Sequence, residues 1–159
     1  RGDDPKQLTR AYVEAINAAL VGRPADLAVT LHTCRGNFKS TWVASGGYEP
    51  VVETMFGANV DGFFMEFDSE RAGDFAPLRY LPRGKKVVLG LVTTKSGELE
   101  DKDTLRRRIE AAAKYVPLED LCLSPQCGFS STHHGNLLSY DEQWRKLERI
   151  VEVAREVWG

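Results

Sequence analysis

The chain has 159 residues, 42% of them hydrophobic and 28% charged, with a net charge of −2. That length suits one domain, spanning 1–159, with a core of its own. The near-neutral charge gives no electrostatic footing on nucleic acid or an anionic membrane, and no apolar run approaches the roughly 20 residues that cross a bilayer.

The elements follow in order. Leu8, Ala11, Tyr12, Ala15 and Ala19 recur at helical spacing, which predicts a helix from Pro5 to Val21, ended by Gly22 and Pro24. Leu27 to Leu31 reads as a strand, and a Gly-, Ser- and Asn-rich loop runs from Arg35 to Tyr48. Pro50 can start a second helix with Val51, Val52, Met55 and Phe56 on its buried side. Gly62 to Phe67 is the second strand, and a short helical piece surrounds Leu78. Lys86 to Thr93 is almost continuously apolar, as expected of a strand covered on both faces. Asp103 is the expected cap of a helix carrying Leu105, Ile109, Ala112, Ala113 and Val116, which Pro117 stops. Leu121 to Leu123 is the fourth strand, followed by a loop from Ser124 to Leu138. Ser139 and Glu142 form a capping-box pattern before a last helix whose apolar stripe reads Trp144, Leu147, Val151, Ala154 and Trp158.

Strands that recur every 25 to 35 residues between helices have the spacing of right-handed βαβ units. Four such units fit a small doubly-wound sheet or half of an eight-stranded (β/α) barrel, and both place functional groups at the carboxyl ends of the strands.

Four residues at or just past those ends carry metal-type chemistry: His32, Cys34, Glu66 and Cys127. His32 and Cys34 are two residues apart, so an extended backbone points them the same way. Their bland alternatives are a strand-capping histidine and a small buried cysteine. Glu66 interrupts the apolar string FFM-F, and a lone buried carboxylate is costly unless paired or metal-bound. The alternative for Glu66 is a salt bridge to Arg79 or Lys95. Cys127 follows Pro125 in a loop beyond the fourth strand, whereas Cys122 between two leucines reads as a core residue. Two thiolates, an imidazole and a carboxylate make a suitable tetrahedral set for zinc. Three cysteines are an odd number, and the polar N-terminus does not read as a signal peptide. Both point to a reducing cytoplasm with free or metal-bound thiols. The adjacent His133 and His134, in a Ser/Gly/Asn loop, are not expected to point the same way and read as solvated. No GK[ST] loop or G-x-S-x-G elbow is present.

LHTCRGN, FFMEFDSERAGDF, VVLGLVTTKSGELE and LSPQCGFSST together resemble the C-terminal barrel of the cobalamin-independent methionine synthase family, and more closely its short single-barrel relatives. The resemblance implies an α/β fold made of the last four βα units of a (β/α)8 barrel, a half-barrel to be completed by another chain, an N-terminal half or a second copy. It implies zinc held by His32, Cys34 and Cys127, with Glu66 as an exchangeable fourth ligand. The implied reaction moves a methyl group from a methylated folate to a thiol such as homocysteine, giving methionine. Asp68 and Lys95 are the candidate substrate contacts at the rim. The chain departs from the full-length synthases where they place a histidine after the third strand, having Thr93, Thr94 and Lys95 instead. That departure keeps open a zinc-dependent alkyltransferase for another thiol of the coenzyme M type, and a non-catalytic half-barrel module.

Overall fold

The structure is a computed structural model that describes residues 2, 4–130 and 132–159. Ser131, inside the loop expected over 124–138, lies outside the described residues, as do Arg1 and Asp3.

Four parallel strands form the main sheet: β1 (Thr30–Thr33), β4 (Gly62–Glu66), β5 (Lys86–Val92) and β6 (Leu121–Pro125). Their spatial order is their chain order, with no reversal and hence no topological switch point. The helices are α1 (Pro5–Ala19), α2 (Val52–Met55), α3 (Lys102–Ala112) and α4 (Tyr140–Trp158). Between β1 and α2 lies an antiparallel pair, β2 (Asn37–Phe38) and β3 (Thr41–Trp42), where the sequence predicts only a loop. Its two-residue turn, Lys39 and Ser40, has positive φ at both positions (49° and 65°), the geometry of a type I′ hairpin without its usual Asn-Gly signature.

Alternation along the strands divides the sheet into two faces. Phe63, Met65, Val87, Leu89, Leu91 and Leu121 join Val52, Phe56, Leu105, Ile109, Ile150 and Val153 in one buried apolar cluster. The helices therefore cover one face. On the other, Thr30 is exposed, Phe64 is 36% exposed, and Val88 and Cys122 are half-buried. Register places His32, Phe64, Val88 and Cys122 side by side across the bare face, with Glu66, Gly90 and Ser124 in the row beyond them.

Several sequence expectations shift. The first strand begins at Thr30 rather than Leu27, which puts His32 inside it. The fourth extends to Pro125, so Cys127 follows it by two residues. Asp101, not Asp103, caps α3, its Oδ1 accepting from Thr104 N at 2.8 Å. On α1 it is Val13, Ile16 and Leu20 that pack against the core, while Leu8 and Tyr12 are exposed. On α4 the buried residues are Lys146, Ile150 and Val153, while Trp144 and Val151 are exposed. The Ser139/Glu142 capping box is formed.

Candidate metal centre

His32 comes from β1 and Cys34 from the residue after its end, Glu66 is the last residue of β4, and Cys127 lies just past β6. Parallel strands in chain order deliver these four to one rim. One ligand atom from each lies within 4.8 Å of the others. The sulfurs of Cys34 and Cys127 are 3.2 Å apart, and the Cys127 thiol donates to Glu66 Oε1 at 2.5 Å. A tetrahedral zinc with Zn–S near 2.3 Å and Zn–N or Zn–O near 2.1 Å needs donors about 3.3–3.8 Å apart. The donor set fits that ion in chemistry, and shifts of about 1 Å would bring the donors to those separations. Cys122 is not among the four.

The thiol of Cys127 is pushed far above its ordinary range, first by burial, then by Glu66 and Cys34 beside it. That thiol is hydrogen-bonded to the glutamate. Divalent-cation binding would release the thiol's proton, because the thiolate is the ligand.

Glu66 is 1% exposed, and its two oxygens face different partners. Oε1 meets Cys127. Oε2 accepts from the backbone N–H of Arg35 at 3.3 Å and lies 3.6 Å from Arg71 Nη2. The cation beside Glu66 is thus Arg71. Arg79 pairs instead with Glu49, and Lys95 Nζ donates to Gln126 Oε1 at 2.7 Å. Asp68 also spends its carboxylate on Arg71, at 3.3 Å, and does not line the cavity described below.

Two residues absent from the sequence reading organise this rim. The Tyr48 hydroxyl accepts from Glu66 N–H at 2.8 Å and from Arg35 Nη1 at 3.0 Å, and shares a bond with Thr33 at 3.3 Å. Burial pushes the Tyr48 phenol above its ordinary value despite these partners. Arg35 lies over the Tyr48 ring, 4.1 Å from its centroid, and donates to Glu66 O at 2.8 Å and Gly46 O at 2.9 Å. Together they tie the segment after β1 to the end of β4, the region that supplies three of the four candidate ligands. The signal for Arg35 was its position next to Cys34; Tyr48 lies 14 residues on, inside a stretch whose hairpin has no sequence signature.

A cavity of about 320 Å³ opens beside the cluster on the bare face, lined by His32, Phe64, Glu66, Gly90, Gln126 and Cys127 among others. A Cβ at Gly90 would sit 3.0 Å from Met65 O and 3.5 Å from Glu66 Cα. Glycine there keeps the floor open and lets two strands lie close. The β2–β3 hairpin meets the loop after β6. Leu137 N–H donates to Ser40 Oγ at 2.9 Å, and His134 packs edge-on against Phe38. His133 and His134 do lie together, their ring centroids 3.7 Å apart, contrary to the expectation for adjacent side chains.

The family model for the cobalamin-independent synthase catalytic domain matches residues 2–156. The chain belongs to that family. It is 54% identical over 159 residues to the uncharacterized protein YxjG of Bacillus subtilis, covering 99% of this chain and 42% of that one. It is 28% identical over 148 residues to the methionine synthase of Methanothermobacter marburgensis, covering 92% of this chain and 40% of that one. Its fold superposes on the putative vitamin-B12 independent methionine synthase of Listeria monocytogenes with a TM-score of 0.78 and 43% identity, over 100% of this chain and 44% of the other. The B12-independent methionine synthase of Shewanella sp. W3-18-1, solved with selenomethionine, has a TM-score of 0.70 at 20% identity, over 94% and 46%, a likeness of fold. The chain thus spans less than half the length of the relatives it matches. Among the described residues, no helix is long and apolar enough to cross a membrane.

Proposed function

We propose that the chain holds one zinc ion on His32, Cys34, Glu66 and Cys127 and serves thiol S-methylation, with a methylated folate as donor and homocysteine as acceptor. The observation that carries this is the convergence of four suitable donors, from three separate stretches of sequence, to within 4.8 Å of one another. Family membership supports the reaction class. Bound zinc would lower the pKa of an incoming thiol and so supply a thiolate nucleophile at neutral pH. The chain's own residues set up that step. Arg35 and Arg71 hold Glu66 by Oε2 and so leave Oε1 turned toward the sulfurs. Cys34 and Cys127 contribute negative charge, which keeps the site electron-rich. The cavity beside them gives the reacting sulfur a walled approach, and held geometry of this kind lowers a bimolecular barrier substantially.

The domain is read as 1–159, the last four βα units of a barrel. Strand order equal to chain order, helices on one face and the metal cluster on the bare face all suit a half-barrel whose concave interior is completed by further units. The mass of the protein in solution would show whether those units come from the same chain, another chain or a second copy. Asp68 acts in this reading by holding Arg71, and Lys95 by holding Gln126 at the cavity.

Metal analysis by mass spectrometry of the purified protein and of Cys127→Ser tests the centre. About one zinc per chain, lost in the variant, is the expected result. A folded protein that takes up no zinc when reconstituted would overturn it. Lys95 where the synthases carry histidine favours testing a second acceptor class. A thiol panel with methylfolate separates the two, since only the synthase reading yields methionine.

A further inference from the structure

β1 and β6 are the two edges of the main sheet, three strand spacings apart, or about 14 Å. The residues past their ends nevertheless bring two sulfurs together. Cys34 Sγ lies 3.2 Å from Cys127 Sγ, across 93 positions of chain. The rim folds inward on both sides to make this contact, and a glycine turns the chain at each: Gly36 (φ 84°) two residues after Cys34, and Gly128 (φ 94°) directly after Cys127. Those φ values lie where other residues are strained. The Gly36 N–H donates to Cys34 Sγ at 3.1 Å and holds that sulfur in place.

The two thiols differ in access. Cys34 is exposed and Cys127 is half-buried. An oxidant reaches an exposed thiol first, and a second thiol beside it resolves the product as a disulfide. A disulfide puts its sulfurs about 2.05 Å apart, roughly 1 Å closer than they stand here. Both cysteines lie beyond the strand ends, so that closure falls on loop and side-chain torsions and not on the sheet ladder. Cys122, the third cysteine, lies inside β6 and outside the cluster.

We propose that Cys34 and Cys127 form a reversible oxidation site, at which a hydroperoxide converts the pair to a disulfide that straps the open sheet from edge to edge. In the first step the O–O bond breaks and an S–O bond forms at Cys34, giving a sulfenic acid and one water or alcohol. In the second, the Cys127 sulfur attacks the Cys34 sulfur. The S–S bond forms as the S–O bond breaks, and the hydroxide leaves with the Cys127 proton as water. The two thiols supply the two electrons that reduce the peroxide. The bond takes two of the four candidate metal donors, so the oxidised form keeps only His32 and Glu66 and loses its grip on a tetrahedral ion. The oxidation itself does not depend on the zinc reading, since it needs only the two thiols.

The test treats the purified protein, stripped of metal by a chelator, with a small excess of hydrogen peroxide, then alkylates it under denaturing conditions for peptide mass spectrometry. Two of the three cysteines should be lost to alkylation, with the Cys34 and Cys127 peptides joined within one chain, and dithiothreitol should return both. Cys122→Ser should form the same bond. Cys34→Ser should leave Cys127 open to alkylation. A reduced protein that takes up zinc should lose that uptake on oxidation and regain it with dithiothreitol. A folded protein that keeps three free thiols would overturn the inference, as would Cys34 carried to a sulfinic or sulfonic acid with Cys127 still free, or a bond that joins two copies. If the bond forms but the reduced protein takes up no zinc, this inference stands and the metal reading falls.

Discussion

Replacing Tyr48 with phenylalanine should weaken the fold and the metal site together. The ring stays, so apolar burial is unchanged and the cost is that of the lost hydroxyl. Glu66 N–H loses its acceptor in a site where Tyr48 is 6% and Glu66 1% exposed. An unsatisfied buried donor costs about 1–3 kcal/mol. Arg35 loses one of its acceptors but keeps Glu66 O and Gly46 O, so its share is smaller. A total of about 2–3 kcal/mol follows, or roughly 5–10 °C in Tm for a chain of this size. Because the hydroxyl joins the Cys34 segment to Glu66, zinc affinity should also fall, by about 10–100-fold for an outer-sphere partner of this kind. The Tyr48 phenol is raised in the folded state, so its contribution is fully present below the unfolded value near 10 and fades as pH rises through the folded value. The stability gap between wild type and Tyr48→Phe should therefore narrow above about pH 10. Urea titrations of both proteins at pH 7 and above pH 10, with zinc competition against a chromogenic chelator, measure all three quantities. A variant within about 0.5 kcal/mol of wild type with unchanged zinc affinity would refute the claim that this hydroxyl organises the rim.

Gly90→Ala sets two effects against each other. Fewer unfolded conformations would favour alanine by about 0.4–1 kcal/mol, but its Cβ would meet the carbonyl of Met65 at 3.0 Å, a strand backbone atom that cannot swing away. Overpacking of about 1–3 kcal/mol should win, and thermal unfolding with zinc stoichiometry would show a less stable protein with a perturbed centre. Lys146→Met removes a fully buried ammonium that bonds Glu98 O and pairs with Glu100 Oε2 at 2.9 Å. Glu100 Oε1 in turn accepts from Thr93 N–H at 2.8 Å, so this pair ties α4 to the end of β5. Breaking a buried pair from one side costs about 3–5 kcal/mol, and the partial exposure of Glu100 places the expected loss near 3 kcal/mol, read from a shifted urea midpoint.

The meeting of His32, Cys34, Glu66 and Cys127 was legible in the sequence because its members sit where topology matters most. Interrupted apolar strings mark strand ends, and parallel strands in chain order bring those ends to one rim. His32, Cys34, Glu66 and Cys127 needed no knowledge of side-chain packing to be linked. What surrounds them did need it. Arg71 was passed over in favour of Arg79 and Lys95 because sequence distance says nothing about which cation turns inward after a strand. Tyr48 and the β2–β3 pair were missed because Lys39 and Ser40 make a type I′ turn with residues that pay to be there, leaving no glycine to announce it. Gln126 was read only as part of P-Q-C-G; its unpaired nitrogen exists only in three dimensions.

The failures of periodicity on the helices and sheet have a common cause. Pattern reading looks for the broadest apolar stripe and assumes that the chain buries it. On α4 that stripe includes Trp144, Leu147 and Val151, yet Trp144 is 60% and Val151 46% exposed, and the three line an open groove with Glu148, Glu152 and Arg155. The face that this chain does bury is read poorly because one of its three buried residues is Lys146. On α1, Leu8 and Tyr12 are likewise exposed. In β4 both faces are apolar, Phe63 and Met65 against the helices and Phe64 toward the bare side. Parallel strands with two apolar faces are built to be covered twice. On the half-barrel reading, these residues are not errors of the pattern but contacts written for further units: Phe64 and Val88 for the barrel interior, and the flanking faces of α1 and α4 for the helices on either side. The cluster of His32, Cys34, Glu66 and Cys127 lies on that same open face, so on that reading the units that would cover Phe64 would also close the cavity beside the cluster and shut water out of it.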